Sequence, residues 1–275
     1  ILYNQKKLIS GKKPINISEE GKISNDLHFI SNGIYIQSQI LLMNGFKHAF
    51  FTRNSRGKSP EILIDLITKK SSVHMTKQIH SNKVIDASDA KSPPWPEADA
   101  IVSNEREKQS LWIYTADCIP ILFADTKTGK VAAVHAGWKG IANGLLGKTI
   151  SKMESNGSNK RDLIIALGPS ISPSKYQVEE DVVILISGSI DNKIISDAKN
   201  KIKAMKSIGL IREDNNKGKY LLDIRSAAVL QLTGKGLDKN QISVNKNCTF
   251  TEKNLFHSWR RDKLNRFQWS VILSR

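Results

Sequence analysis

The stretch ADCIPILFADTKTGKVAAVHAGWKG, residues 116–140, decides the architecture. Two apolar runs flank the short turn-forming segment TKTG at 126–129. Runs without polar alternation belong to strands buried on both faces, and a turn between them predicts a β-hairpin over 119–136. With the turn centred on Lys127 and Thr128, Ala124 faces Val131, and the numbers of opposing residues sum to about 255. Cys118 and His135 fall two short of that sum, one diagonal step apart at the open end, a separation of roughly 7–8 Å. That distance suits two groups sharing one ion, or a thiol nucleophile beside its base. It equally suits two small core side chains, because a free cysteine often packs as a hydrophobe.

The neighbours bear on that choice. Gly137, Gly140 and Gly144 would let backbone approach a bound group. Asp117 is a charge where a strand should be apolar, so it either faces a pocket or orients a neighbour. In TKQIHSNKV, His80 is a second histidine on a strand-to-turn segment, with Gln78 on the same face. Two imidazoles and one thiolate make the three-ligand set of a catalytic zinc site with an open fourth position, and they are softer than magnesium or calcium prefers. The local pattern alone does not bring His80 to the other two.

The 275 residues suffice for one large domain or two small ones. Hydrophobic content of 39% and charged content of 25% are those of an ordinary globular protein, and no apolar run reaches the roughly 18 residues of a membrane helix. The segment ILYNQKKLIS has its apolar residues before its lysines, the reverse of a signal peptide. Two cysteines do not build a disulfide framework and point to a reducing compartment, so a cytoplasmic location is expected. The net charge of +16 is spread along the chain without a dense basic block, which reads as a solvated basic surface rather than a nucleic-acid face.

Along the rest of the chain, residues 1–30 read as short strands and turns, with 1–45 an N-terminal extension of one domain covering 1–275. SVHMTKQIHSNKVIDAS reads as two short strands around a polar turn, and GIANGLLGKTISKMES as a helix with Ile141, Leu145, Leu146, Ile150 and Met153 on one stripe. DLIIALGPSI is a buried strand. VEEDVVILIS and DIRSAAVLQLTGKG are helices, the second capped by Asp223 and stopped at Gly234. The tail LFHSWRRDKLNRFQWSVILSR reads as a strand on each side of a basic turn. Strands and helices mix without a βαβ rhythm, so the fold expected is α+β, mixed β-sheets flanked by helices in one layered domain.

From about His48 onward the chain resembles the YfiH-like proteins. The resemblance rests on FTR at 51–53, QIHSNKV at 78–84, EADAIVS at 97–103, TADCIPILFAD at 115–125 and AAVHAGWKG at 132–140. It continues through GPSISPSKYQV at 168–178, CTF at 248–250 and FHSWRRD at 256–262. That family, formerly described as multicopper polyphenol oxidases or laccase-domain proteins, is now regarded as purine nucleoside phosphorylases with adenosine deaminase activity. The resemblance implies a layered α+β fold shared with cytotoxic-toxin deamidases, and Zn2+ held by His80, Cys118 and His135. It implies purine nucleosides and phosphate as partners. For that chemistry Arg53, Arg260 and Arg261 are the candidate phosphate donors, against surface salt bridging, and Gln78 is a candidate substrate contact. Asp117 is the nearest candidate proton carrier in deamination, or else a structural cap on the strand turn. The chain departs from the family at Lys139, Gln177, His257 and the loop NSRGKSP at 54–60, which leaves the implied metal ligands intact and bears on the substrate contacts, above all those of 54–60.

Six histidines, at 28, 48, 74, 80, 135 and 257, cannot supply the roughly ten His and Cys ligands of a multicopper cluster. Two rivals to the zinc enzyme stay open at this point: a metal-free hydrolase with Cys118 activated by His135, and a basic nucleic-acid-binding module without turnover.

Overall fold

In the computed structural model, which describes residues 29–69, 71–105, 109–196 and 199–275, the central hairpin forms in the register read from its turn. Strands Ile119–Asp125 and Val131–Ala136 pair antiparallel, with Ala124 opposite Val131 and Pro120 opposite His135. Both strands are buried along their whole length. The strands and turns expected over 1–28, and His28, lie outside the described residues.

The hairpin is the middle of a central sheet ordered Ile242–Val244, Leu163–Leu167, Ile119–Asp125, Val131–Ala136, Ala100–Val102 and Val84–Asp86. An outer sheet runs Phe29–Ser31, Tyr35–Ser38, His48–Phe51, Gln268–Leu273, Gln109–Thr115 and Ser72–Met75. A small sheet joins Gln177–Glu179, Lys219–Leu222 and Ile211–Glu213.

The continuous apolar runs follow from this layering. Leu122, Ala124, Val131 and Ala133 share a core with Phe50, Leu111, Ile113 and Ile272 of the outer sheet. Their neighbours Ile121, Phe123, Ala132 and Val134 alternate to the other face, where they pack with Leu145, Leu146, Ile150 and Met153. A strand covered on both faces has no place for polar alternation. At about 1.5–3 kcal/mol for each large side chain withdrawn from water, these two cores hold the three layers together. The architecture is α+β, with the mixed sheets and flanking helices expected.

Three local readings are corrected. The helix expected over 140–155 is two, Trp138–Ala142 and Leu145–Ser155, because Gly144 adopts φ 76° between them. Asp223 does cap Ile224–Gly234, accepting from the Ser226 amide at 3.0 Å, but Gly234 is still helical. Gly236, at φ 92°, provides the left-handed residue that follows the helix end. The two short strands expected around a polar turn are present as Ser72–Met75 and Val84–Asp86; they belong to different sheets, and His80 between them is in neither. The tail carries a strand only at Gln268–Leu273; ahead of it Ser258 caps the short helix Trp259–Asp262, accepting from the Arg261 amide. No described helix is long and apolar enough to cross a membrane.

Candidate metal centre

The open end of the hairpin meets the loop that carries His80. Cys118 directly precedes the first hairpin strand, and His135 is the penultimate residue of the second. His80 sits at φ 59°, a left-handed conformation uncommon for a residue with a side chain. Its Nε2 lies 3.9 Å from Cys118 Sγ, and its ring meets that of His135 edge-on at 4.7 Å. One donor atom from each of the three residues lies within 4.8 Å of the others. A tetrahedral zinc ion with ordinary Zn–S and Zn–N bonds would set such atoms about 3.3–3.6 Å apart, so a small inward movement closes the site. Gly137 makes room: a Cβ there would stand 3.0 Å from Cys118 Sγ and 3.0 Å from His80 Cδ2. The donor set therefore fits a soft divalent ion.

Behind these three donor residues stands Asp99, fully buried. Its Oδ1 accepts from His135 Nδ1 at 2.8 Å and from the His80 amide at 3.0 Å. Its Oδ2 accepts from the amide and hydroxyl of Ser81 at 2.6 and 2.7 Å, and from the Ile79 amide at 3.3 Å. Burial alone would raise this carboxyl, but the hydrogen bonds from His135 and Ser81 outweigh it and hold it down to about 2. Burial likewise opposes charge on Cys118 and His135. Their mutual attraction prevails, holding the thiol below its ordinary range and, with Asp99, the imidazole above it. The site thus favours thiolate, the metal-binding form of cysteine.

A cavity of about 750 Å³ opens over these residues. Its walls include Tyr114, Trp138, Tyr176, Trp259 and Phe267. Arg260 also lines it, with its guanidinium 5.2 Å from the Tyr176 ring centre and Nη1 donating to the Gln177 carbonyl at 2.9 Å.

The other residues singled out in the sequence are placed as follows. Asp117, at φ 93°, lines the cavity, but both its oxygens are engaged. Oδ1 accepts from Thr249 at 2.6 Å, and Oδ2 from Ser258 at 3.0 Å and the Arg260 amide at 2.7 Å. Gln78 reaches the cavity while pairing with the Tyr114 backbone in both directions, at 2.7 and 2.8 Å. Arg261 donates to the carbonyls of Thr249, Phe250 and Phe256 and to Asp262, which ties the tail to the CTF segment. Arg53 donates to the Lys253 carbonyl and is absent from the residues lining the cavity. Cys248 is buried, accepting from the Ser172 amide at 3.3 Å.

Asp99 was missed by sequence reading. Its one signal is a charge flanked by alanines at the start of an apolar run, in EADAIVS. His48 and His74 are equally informative in the negative. His48 bonds the Ser38 amide and the Phe46 carbonyl, and His74 bonds the Ser72 hydroxyl and the carbonyls of Ala87 and Ala90. With both ring nitrogens of each so engaged, neither joins a second metal cluster among the described residues.

The family model described as "Multi-copper polyphenol oxidoreductase laccase" matches residues 60–273. A protein of Synechocystis sp. named purine nucleoside phosphorylase is 34% identical over 243 residues, covering 85% of this chain and 91% of its own. The chain belongs to the YfiH-like family. A Haemophilus influenzae relative, also named purine nucleoside phosphorylase, is 35% identical and covers 71% of each chain. Among solved structures, YlmD from Geobacillus stearothermophilus superimposes with a TM-score of 0.76 at 22% identity, covering 91% of this chain and 99% of its own, a likeness of fold. A Neisseria meningitidis protein matches with a TM-score of 0.66 at 27% identity, covering 83% and 94%. The oxidase description sits poorly with the histidines just located, whereas one three-ligand centre beneath an aromatic cavity has no such conflict.

Proposed function

We propose that this YfiH-like chain is a zinc-dependent purine nucleoside phosphorylase with adenosine deaminase side activity, working in a reducing compartment such as the cytoplasm. The observation that carries the proposal is the convergence of His80, Cys118 and His135 beneath an aromatic-walled cavity that also presents Arg260. The names of the relatives supply the substrate class. Zinc bound by the three residues would supply a Lewis acid at the cavity floor.

The protein's own groups do the rest. Aromatic walls suit a flat purine, which they can sandwich or meet edge-on. Arg260 keeps N–H donors beyond the one given to Gln177, and a guanidinium can grip a phosphate through two of them. In phosphorolysis a phosphate oxygen bonds to C1′ of the ribose as the bond from C1′ to the purine nitrogen breaks. The purine leaves with the proton that the attacking hydrogen phosphate gives up, and ribose 1-phosphate remains. Phosphate and ribose must therefore lie side by side, with Arg260 anchoring the anion. In this reading Asp117 holds the Arg260 segment in place, because its oxygens are already bonded, and Arg53 and Arg261 serve the scaffold. Both cysteines are free, as a thiolate ligand requires.

A second reading is favoured by one observation. Asp99, His135 and Cys118 form a carboxylate–imidazole–thiol series that would serve a metal-free hydrolase. Purified protein given adenosine, with and without phosphate, and assayed by chromatography separates the cases. Adenine formed only with phosphate, and lost in Cys118→Ser and in chelator, is the expected result. Inosine without phosphate reports the deaminase activity. Turnover undiminished in chelator overturns the zinc reading, and the absence of both products overturns both activities.

A further inference from the structure

Asp99 holds two of the three ligand residues through a single carboxylate. Its Oδ1 is 2.8 Å from His135 Nδ1. Because a carboxylate only accepts, the proton of this contact sits on Nδ1, so that the neutral ring, the form a metal binds, carries its lone pair on Nε2. The same oxygen accepts from the His80 amide, while Oδ2 accepts from the amides of Ile79 and Ser81 and from the Ser81 hydroxyl. Three successive amides converging on one carboxylate account for the left-handed backbone at His80, φ 59°. That backbone turns the imidazole toward Cys118, whose Sγ is 3.9 Å away.

A second tie runs through the main chain. The His135 amide donates to the Asp99 carbonyl at 2.8 Å, and the Asp99 and Ala100 amides both donate to the Lys83 carbonyl, at 3.1 and 3.2 Å. Asp99 is thus fixed from both sides before it acts on either histidine. Among the described residues its side-chain oxygens are bonded by donors from the His80 loop and by His135. A charge buried in this way is costly unless such donors satisfy it, so the arrangement links the loop's conformation to the presence of that carboxylate.

We propose that Asp99 is the positioning residue of the metal centre, setting the tautomer of His135 and the backbone of His80 together. The proposal rests on the zinc reading above. In Asp99→Asn one oxygen becomes an amide donor. It then either faces His135 Nδ1 and forces the other tautomer, or faces the Ser81 and Ile79 donors and releases the loop. Outer partners of metal-bound histidine commonly contribute 10–100-fold to metal affinity.

The test is Co2+ titration of chelator-treated protein, read from the thiolate-to-cobalt absorption and from the visible d–d bands. Wild-type protein should bind one equivalent. Asp99→Asn should bind about 10–100-fold more weakly with altered d–d bands, while its metal-free circular dichroism stays that of wild type. Should Asp99→Asn not fold, Ser81→Ala decides, since it removes one bond to Oδ2 and leaves Oδ1 on His135. Severalfold weaker cobalt binding with unchanged metal-free stability supports the proposal. Wild-type affinity and an unchanged spectrum in the deciding variant overturn it. Failure of the wild-type protein itself to bind cobalt overturns instead the metal reading on which it rests.

Discussion

At Asp117 a backbone held at φ 93° aims one carboxylate at the Thr249 and Ser258 hydroxyls and the Arg260 amide. Asp117→Asn keeps the shape but turns one acceptor into a donor facing a donor. An unmet buried partner costs about 1–3 kcal/mol, so stability in urea should fall by about 2 kcal/mol. Because Arg260 loses its anchor, under the proposed phosphorolysis KM for phosphate should rise more than kcat falls. A fall in kcat alone, with the urea midpoint unmoved, would instead assign Asp117 the proton-carrier part. Gly137 makes a second residue-scale prediction. Its backbone, at φ −78° and ψ 166°, accepts any side chain, but an added Cβ presses on Cys118 and His80. Gly137→Ala should therefore reduce bound metal per chain while the metal-free unfolding midpoint changes little; equal loss of both would show a folding defect instead. The three residues that could hold a metal were legible as residue types, and the approach of Cys118 to His135 as positions on one hairpin. Asp99 was not, since its partners lie 19 and 36 positions away and nothing in local spacing connects them.

The hairpin was the element read best, because its pairing is set by a four-residue turn within one short stretch. Elements whose ends depend on backbone conformation or distant partners were read less well, as at Gly144, Gly236 and the Ser258-capped helix. Where elements stack, sequence says little about tolerance. Gly168 follows the strand Leu163–Leu167 and donates to the Pro120 carbonyl at 2.8 Å. A Cβ there would collide with the Phe50 ring and come 2.9 Å from Pro120 Cγ. Gly168→Ala should destabilise by at least about 1–3 kcal/mol in urea, as overpacking between layers does. An unchanged midpoint would mean that the two sheets part easily. Strand His48–Phe51 adds a pH dependence. Burial lowers the His48 pKa to about 4, against 6.5 for a free imidazole, and its neutral ring accepts from the Ser38 amide while donating to Phe46. The unfolded chain therefore binds the proton first. His48 favours folding fully above pH 6.5, and this contribution, about 3 kcal/mol, fades as pH falls from 6.5 toward 4. His48→Gln should flatten that part of the stability–pH curve measured in urea, and an unaltered slope would move its origin to another group.

For the molecule as a whole, the placement of the three candidate donor residues matters more than their number. His80 lies between the outer-sheet strand Ser72–Met75 and the central-sheet strand Val84–Asp86. Cys118 lies between Gln109–Thr115 of the outer sheet and Ile119–Asp125 of the central sheet. Both are on crossings from one layer to the other, and His135 belongs to the central sheet they enter. An ion bound by all three joins the two crossings to the hairpin, so it should stabilise the packing of the sheets and not merely the cavity. Binding to the folded chain alone adds about 2.7 kcal/mol when free zinc is 100 times its Kd. At about 2–4 °C per kcal/mol for a chain of this size, the unfolding midpoint should rise by several degrees on adding zinc to chelator-treated protein. The shift should vanish in Cys118→Ser, where one crossing no longer supplies a thiolate. A wild-type midpoint that does not respond to saturating zinc would show that the layers are held by their apolar cores alone.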